Sequence, residues 1–282
     1  MLGEIIAIIS GSLWATNHVM TRKGLSSGGS RMAAVYIGLS INIMILWPAA
    51  LSFTDLSQVT LLGLGFLIMA GIFGSLLGRL MRAVSIGKLG VAGSEPIIAS
   101  SPLFAALIAT TVLAEEMTLV IAIGTLLIVF GVVMISKGQW RVSKIGVVAS
   151  LATAIFFAFG ENFRKLGIDE VGSPTFSAVV AASVGFIVSI IYFKGRNPFR
   201  TASGSSKKAF LWGGLATTGA LLTAYTALSL TDVVVAVPLF NTTALFAILF
   251  ARIFLRQQEK ITLRIVLSAL LVVSGVVLIV AR

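Results

Sequence analysis

The sequence contains no cysteine, so disulfides, Cys-ligated metals and thiol chemistry are all excluded. Charge is scarce as well: 11% of residues are charged, against about 25% in a soluble domain. A chain so poor in charge cannot cover itself with a wetted surface. It has a single histidine, His18, and its three aspartates (Asp55, Asp169, Asp232) fall at loops or at the ends of apolar runs. There is no H-E-x-x-H motif and no pair of aspartates inside an apolar run. The residues an intramembrane hydrolase needs are missing, and no enzymatic activity, metal or cofactor is expected.

What the chain does have is hydrophobic length. Hydrophobic residues make up 57% of it and the mean hydropathy is +1.06. A bilayer-spanning helix needs about 20 apolar residues. A window of that size gives ten spans, at 2–20, 32–52, 60–80, 89–114, 118–136, 145–163, 175–193, 209–230, 233–251 and 261–280. The first run ends in Arg22 and Lys23 and lacks the basic n-region and cleavage site of a removable signal peptide. It is therefore expected to stay in the mature protein. A net charge of +11 would suit a nucleic-acid partner, but nearly all the basic residues sit between apolar runs, where membrane topology accounts for them. The expected partners are the lipid bilayer and a small-molecule substrate, with no nucleic acid.

The sequence also repeats itself. The segment EPIIASSPLFAALIATTVLAEEMT from Glu95 matches VPLFNTTALFAILFARIFLRQQEKIT from Val237. Pro96 pairs with Pro238, Ser101 with Thr243 and Phe104 with Phe246 at an offset of 142. Arg22-Lys23 pairs with Arg164-Lys165 at the same offset. After two inserted residues the offset becomes 144, pairing Thr118 with Thr262, Gly124 with Ser268 and Gly131 with Gly275. The unit is five spans, and five is odd, so consecutive copies enter the bilayer with opposite polarity. The expected fold is an all-α integral membrane protein of ten transmembrane helices, built as two inverted five-helix repeats. The repeats are 1–136 and 144–282, with a connector at 137–143. Ten spans can enclose a pathway in one chain, so a monomer suffices.

Several features together resemble the EamA family of the drug/metabolite transporter superfamily. They are the five-plus-five spans, SLWATNHVMTRKG in span 1, Arg31 opening span 2, and AEEMT before a Gly-spaced span 5. The second copy departs from the pattern, with RQQEKIT leaving Glu259 as the only acid at its turn. The resemblance implies efflux or exchange of amino acids, other small metabolites or amphipathic drugs through a cavity between the halves, in the cell (inner) membrane. The alternative is a non-transporting scaffold or accessory subunit, though scaffolding alone gives no reason for an inverted duplication.

All but three of the 21 Lys and Arg residues (Arg164, Lys165 and Arg282) lie in or beside connectors that follow odd-numbered spans. The positive-inside rule puts those connectors in the cytoplasm and both termini outside. The resemblance implies the opposite, with both termini inside.

Ionisable groups inside spans are costly and mark pathways or pairs. His18, Arg79 and Glu95 lie on the basic-loop side, while Glu161, Asn162, Tyr225 and Asn241 lie toward the other face. This predicts two polar clusters, with Arg79, Glu95 and Glu161 as gating or coupling residues. Each also has a structural reading: an Arg79–Glu95 pair, a Glu161 pair with Arg164 or Lys165, and helix-packing bonds for His18 and Asn241. Pro96, Pro102 and Pro238 would free backbone carbonyls in spans 4 and 9, and matched interruptions point to a binding site. The neighbouring Ser100, Ser101, Thr242 and Thr243 would then face the cavity. Trp14, Asn17, Phe156 and Phe157 are candidate wall residues, unless the aromatics serve packing or lipid contact. The stretch GIFGSLLG (71–78) reads as a small-residue helix-packing face.

Overall fold

The computed structural model describes residues 1–89, 94, 97–135, 143–192, 203–255 and 263–281, and all the regular structure among them is helical. In chain order, α1 is Leu2–Ser26 and α2 is Arg31–Phe53. A continuous rod, α3, follows, α-helical over Leu61–Ala70, π-helical over Gly71–Gly78 and α-helical again over Arg79–Leu89. Then come α4 (Ser101–Val112), α5 (Leu119–Ile135), α6 (Lys144–Val171), α7 (Pro174–Tyr192) and α8 (Gly204–Leu230). Helix α9 is in two pieces, Val233–Phe240 and Thr243–Leu255, and α10 is Leu263–Val280. Among the described residues, Ala33–Phe53, Leu61–Arg82 and Lys144–Val171 are long and apolar enough to cross a bilayer by length and composition.

Local chemistry sets the helix ends. Ser30, Thr60, Ser143 and Ser203 each accept the N–H of the residue three positions on, filling donors that a helix start leaves open. Gly28 and Gly172 take left-handed φ values of +85° and +69° beyond α1 and α6, which glycine adopts without strain. The expected ends move accordingly. Helix α6 runs eight residues beyond Phe163, to Val171. Pro48 lies inside α2, which continues to Phe53. Span 9 breaks at Asn241 and Thr242, just after Pro238.

Helix α1 packs on α8 and α9, α2 on α7 and α8, and α3 on α6 and α7. The first helix of each half thus packs on the third helix of the other half. Ser10 donates to Ala220 O at 2.9 Å and Asn17 Nδ2 to Gly213 O at 2.8 Å, stitching α1 to α8. The α5–α10 pair is closer still. A Cβ built on Gly275 would fall 2.5 Å from Gly124 O, and one on Gly131 2.9 Å from Ser268 O. Under the 144-residue offset Gly124 becomes Ser268 and Gly131 becomes Gly275, so these two contacts exchange with one another.

At one end of the bundle, Thr54 meets Ser173 at 2.7 Å, Gly3 packs on Thr231, and Glu115 reaches α9. At the other end, Ser203 donates to Ser27 O at 2.9 Å, and Ser85 bonds Ser94 and Ser150. Glu115 does a helix-capping task for the other half of the chain. Its two carboxylate oxygens accept the N–H groups of Val233 and Val234, each at 2.9 Å, where Asp232 offers no side-chain cap. Burial raises its pKa, the two N–H groups pull it back, and Asp232 pushes it up again. The folded pKa lies above the unfolded one, so acidification through that window adds stability at this carboxyl. Replacing Glu115 by Ala leaves the first N–H groups of α9 open and should cost about 1–2 kcal/mol. Thermal unfolding in detergent measures this; an unchanged midpoint would show that the cap contributes nothing.

Candidate functional site

The packing face predicted at 71–78 is real, and it is π-helical. Widened turns of this kind are rare and concentrate at functional sites. Gly71 lies against Val184 of α7 and Gly78 against the Phe157 ring of α6. Between them α3 and α6 touch backbone to backbone: a Cβ on Gly160 would sit 3.0 Å from both Cα and N of Gly74. The bare surface of Gly74 also faces the Arg164 guanidinium, with Nη2 3.5 Å from where its Cβ would be.

Arg164 is the centre of the polar arrangement. Its Nη1 is 2.7 Å from Glu161 Oε1, and the two side chains are 14% and 16% exposed. Its guanidinium lies 5.3 Å over the ring of Tyr225, a residue of α8 with 0% exposure. Arg164 Nε and Glu161 Oε2 are buried and make no hydrogen bond among the described residues, while the Tyr225 side chain interacts with the Arg164 guanidinium. Buried polar atoms are normally paired, so these two open ones on adjoining groups make this a candidate place for a polar ligand.

Arg79 begins the turn after the π-helical stretch, lies within the apolar span Leu61–Arg82, and has an accessible side chain. It makes no hydrogen bond or ion pair among the described residues, and its electrostatic neighbours are Arg164 and Arg82. His18, also accessible, feels the charge of Arg82.

An aromatic wall runs beside them. Phe73 contacts Phe156, Phe159 and Phe163 with ring centroids at 5.9, 5.4 and 5.5 Å. Phe156 is half-buried, and Trp14 packs partly against the main core.

Several of the remaining candidates hydrogen-bond within the helix bundle. Asn17 bonds α8. Asn162 donates to Ala105 O of α4 at 3.2 Å and to Ala158 O at 2.9 Å, leaving Oδ1 open. Ser100 and Thr242 donate to Ile97 O and Leu239 O within their own turns, and Ser101 is buried. Asn241 keeps an open Nδ2 at the break in α9, which faces α1 at Gly11. Glu95 and Pro96 lie outside the described residues. The sequence reading named Arg164 only as a pairing partner for Glu161, which the structure bears out, and gave Arg82 no role beyond a connector charge.

A cavity of about 460 Å³ has Glu115, Lys165, Asp169 and Asp232 in its lining. Lys165 is held by Asp169 at 3.2 Å and by Leu228 O at 2.9 Å, so the carboxylates prevail in this cavity.

A sequence profile described as the EamA-like transporter family matches residues 1–137 and again 144–281. Twenty-nine solved chains match in structure. One crystal structure superposes with a TM-score of 0.81 at 16% identity, covering 98% of this chain and 95% of that one, which shows a shared fold. No curated protein matches by sequence.

Proposed function

The chain belongs to the EamA-like transporter family, a helical multi-pass membrane protein of two repeats, and we propose that it moves a small metabolite out of the cell by alternating access. In this reading, ten spans form two inverted five-helix bundles, 1–136 and 144–282, in the inner membrane. The halves rock about the π-helical stretch of α3, the break in α9 and the Arg164 group between them. The observation that carries the reading is the α5–α10 seam. Its two close contacts exchange under the repeat offset, as a two-fold axis in the membrane plane requires. The end contacts support the same arrangement. Ser27, just past α1, meets Ser203, whereas Ser173, just past α6, meets Thr54 at the opposite end.

Counterflow in proteoliposomes holding only this chain tests transport: a labelled solute should accumulate transiently against its trapped unlabelled form. Absence of flux across a broad panel of amino acids, organic acids and sugars would leave the scaffold reading in its place. The lack of native cysteine makes orientation testable without background. With a membrane-impermeant maleimide, Ser26→Cys and Glu170→Cys should label from opposite faces. Ser26→Cys should be protected in intact cells, because the basic connectors lie inside. Labelling of both from one face would end the inverted arrangement.

A further inference from the structure

We propose that Glu115 is the latch of the mouth at the Thr54 and Ser173 end: it holds the first piece of α9 against the other half of the chain, and opening that mouth passes the cap of α9 to Asp232. This rests on the transporter reading and adds a gate to it. The first turn of a helix leaves N–H groups in need of acceptors, and the residue best placed to supply one is the residue just before the helix. Here that residue is Asp232, an acid of the favoured type. It already holds the extended backbone of a capping position, with φ −73° and ψ 156°, yet its side chain caps nothing. Glu115 acts in its place from 118 positions away, accepting the Val233 and Val234 N–H groups at 2.9 Å each. A local cap travels with its helix through any motion, whereas a remote one breaks when the two parts separate. Glu115 lies in the α4–α5 connector of the first repeat and α9 in the second. A movement that parts the halves at this end must therefore break the contact.

The surroundings suit a moving part. Val233–Phe240 is a short piece, bounded by the turn at Thr231 and Asp232 and by the break at Asn241 and Thr242. Its residues from Val233 to Leu239 are buried, mainly against α1, α4 and α5 of the first repeat. On the other side of the turn, Lys165 donates to Leu228 O at 2.9 Å, which ties the end of α8 to α6 within the second repeat. The turn is thus held on one side by its own half and on the other by the opposite half, and only the second tie has to open. Glu115, Lys165 and Asp232 all line the cavity of about 460 Å³, so the contact borders existing space. Two acceptors in reach of one helix start make a two-state element, with Glu115 as the cap of the closed form and Asp232 as the cap of the open one.

The chain has no native cysteine, so maleimide labelling of the purified full-length protein reads the two mouths separately and needs no solute. Val233→Cys reports on this end and Ser150→Cys on the other, both residues being 0% exposed here. Glu115→Ala should speed the reaction at Val233→Cys by about 10-fold, the worth of one cap, and slow it at Ser150→Cys, since a protein that opens one mouth more often opens the other less. Glu115→Gln, which keeps one acceptor, should fall between. Asp232→Ala should do the reverse, slowing Val233→Cys and speeding Ser150→Cys, because the open form loses its acceptor. A merely structural cap would not give these opposed signs. General loosening raises both reporters together, and that result overturns the latch, as does labelling that neither variant moves. If Glu115→Ala proves too unstable to label, Asp232→Ala decides alone, since faster or unchanged reaction at Val233→Cys contradicts the exchange of caps. Counterflow by the wild-type protein tells the two failures apart. Flux with unmoved labelling overturns the latch alone, while absence of flux across the panel removes the transporter reading and the latch with it.

Discussion

Replacing Arg164 by Gln should destabilise the protein by about 3–5 kcal/mol and end transport, the largest effect expected of any single side chain here. The reason is what the substitution leaves behind. Glu161 is 16% exposed, and its carboxylate would lose the 2.7 Å contact that offsets its removal from water. The face of the Tyr225 ring would lose the cation 5.3 Å above it. Removing both charges together, in Glu161→Gln with Arg164→Gln, leaves no isolated ion and should return stability to within about 2 kcal/mol of wild type. Transport should stay lost in the double variant, because the interior has given up the guanidinium that a polar ligand would meet. Thermal unfolding in detergent and counterflow separate the two effects. An Arg164→Gln protein that melts with wild type would show that the pair is solvated and that its geometry carries no stability.

That pair also shows where the sequence was informative and where it was not. The helical class was legible in the hydrophobic length, and the two-copy repeat in glycine, proline and hydroxyl positions that recur at fixed offsets. The small-residue stretch of α3 was legible for the same reason, since Gly71 and Gly78 lie where neighbouring helices leave no room for a Cβ. Arg164 was not legible as a site residue. Its repeat partner Arg22 is an exposed charge at a helix end, and hydropathy stopped the sixth span at Phe163. The helix actually runs to Val171, capped by the left-handed Gly172, which takes Arg164 two turns into the bundle. A hydropathy window cannot see this, because it averages Arg164, Lys165 and Asp169 as polar without registering that they neutralise their neighbours. The small polar candidates are engaged locally. Asn17, Ser100 and Thr242 sit on the spans as expected, but short side chains reach the nearest carbonyl first. A long side chain such as Arg164 reaches further, to Glu161 and over the Tyr225 ring.

The approach of α3 to α6 decides whether that reach is right, and two glycines on either side of it should respond differently. A methyl group on Gly160 would sit 3.0 Å from Gly74 Cα and N, which are backbone atoms that can yield only if the two helices separate. A methyl group on Gly74 meets the Arg164 Nη2 at 3.5 Å and Gly160 Cα at 3.9 Å, ordinary contact distances. Both substitutions gain about 1 kcal/mol of helix propensity, so the difference between them isolates the packing. Gly160→Ala should lose a net 1–2 kcal/mol, within the usual roughly 1–3 kcal/mol cost of overpacking less that gain, and Gly74→Ala should be neutral or slightly stabilising. The transport effect of Gly160→Ala should exceed what its stability loss predicts, on the order of 10-fold or more. Pushing α3 away from α6 shifts the π-helical stretch relative to Arg164, and a binding geometry misplaced by about 1 Å can lose 100-fold in rate. Counterflow and melting of the two variants side by side give the answer. Equal behaviour of the two alanines would mean that the helices have slack at this level, and that the position of the π-helical stretch relative to Arg164 is set elsewhere in the bundle.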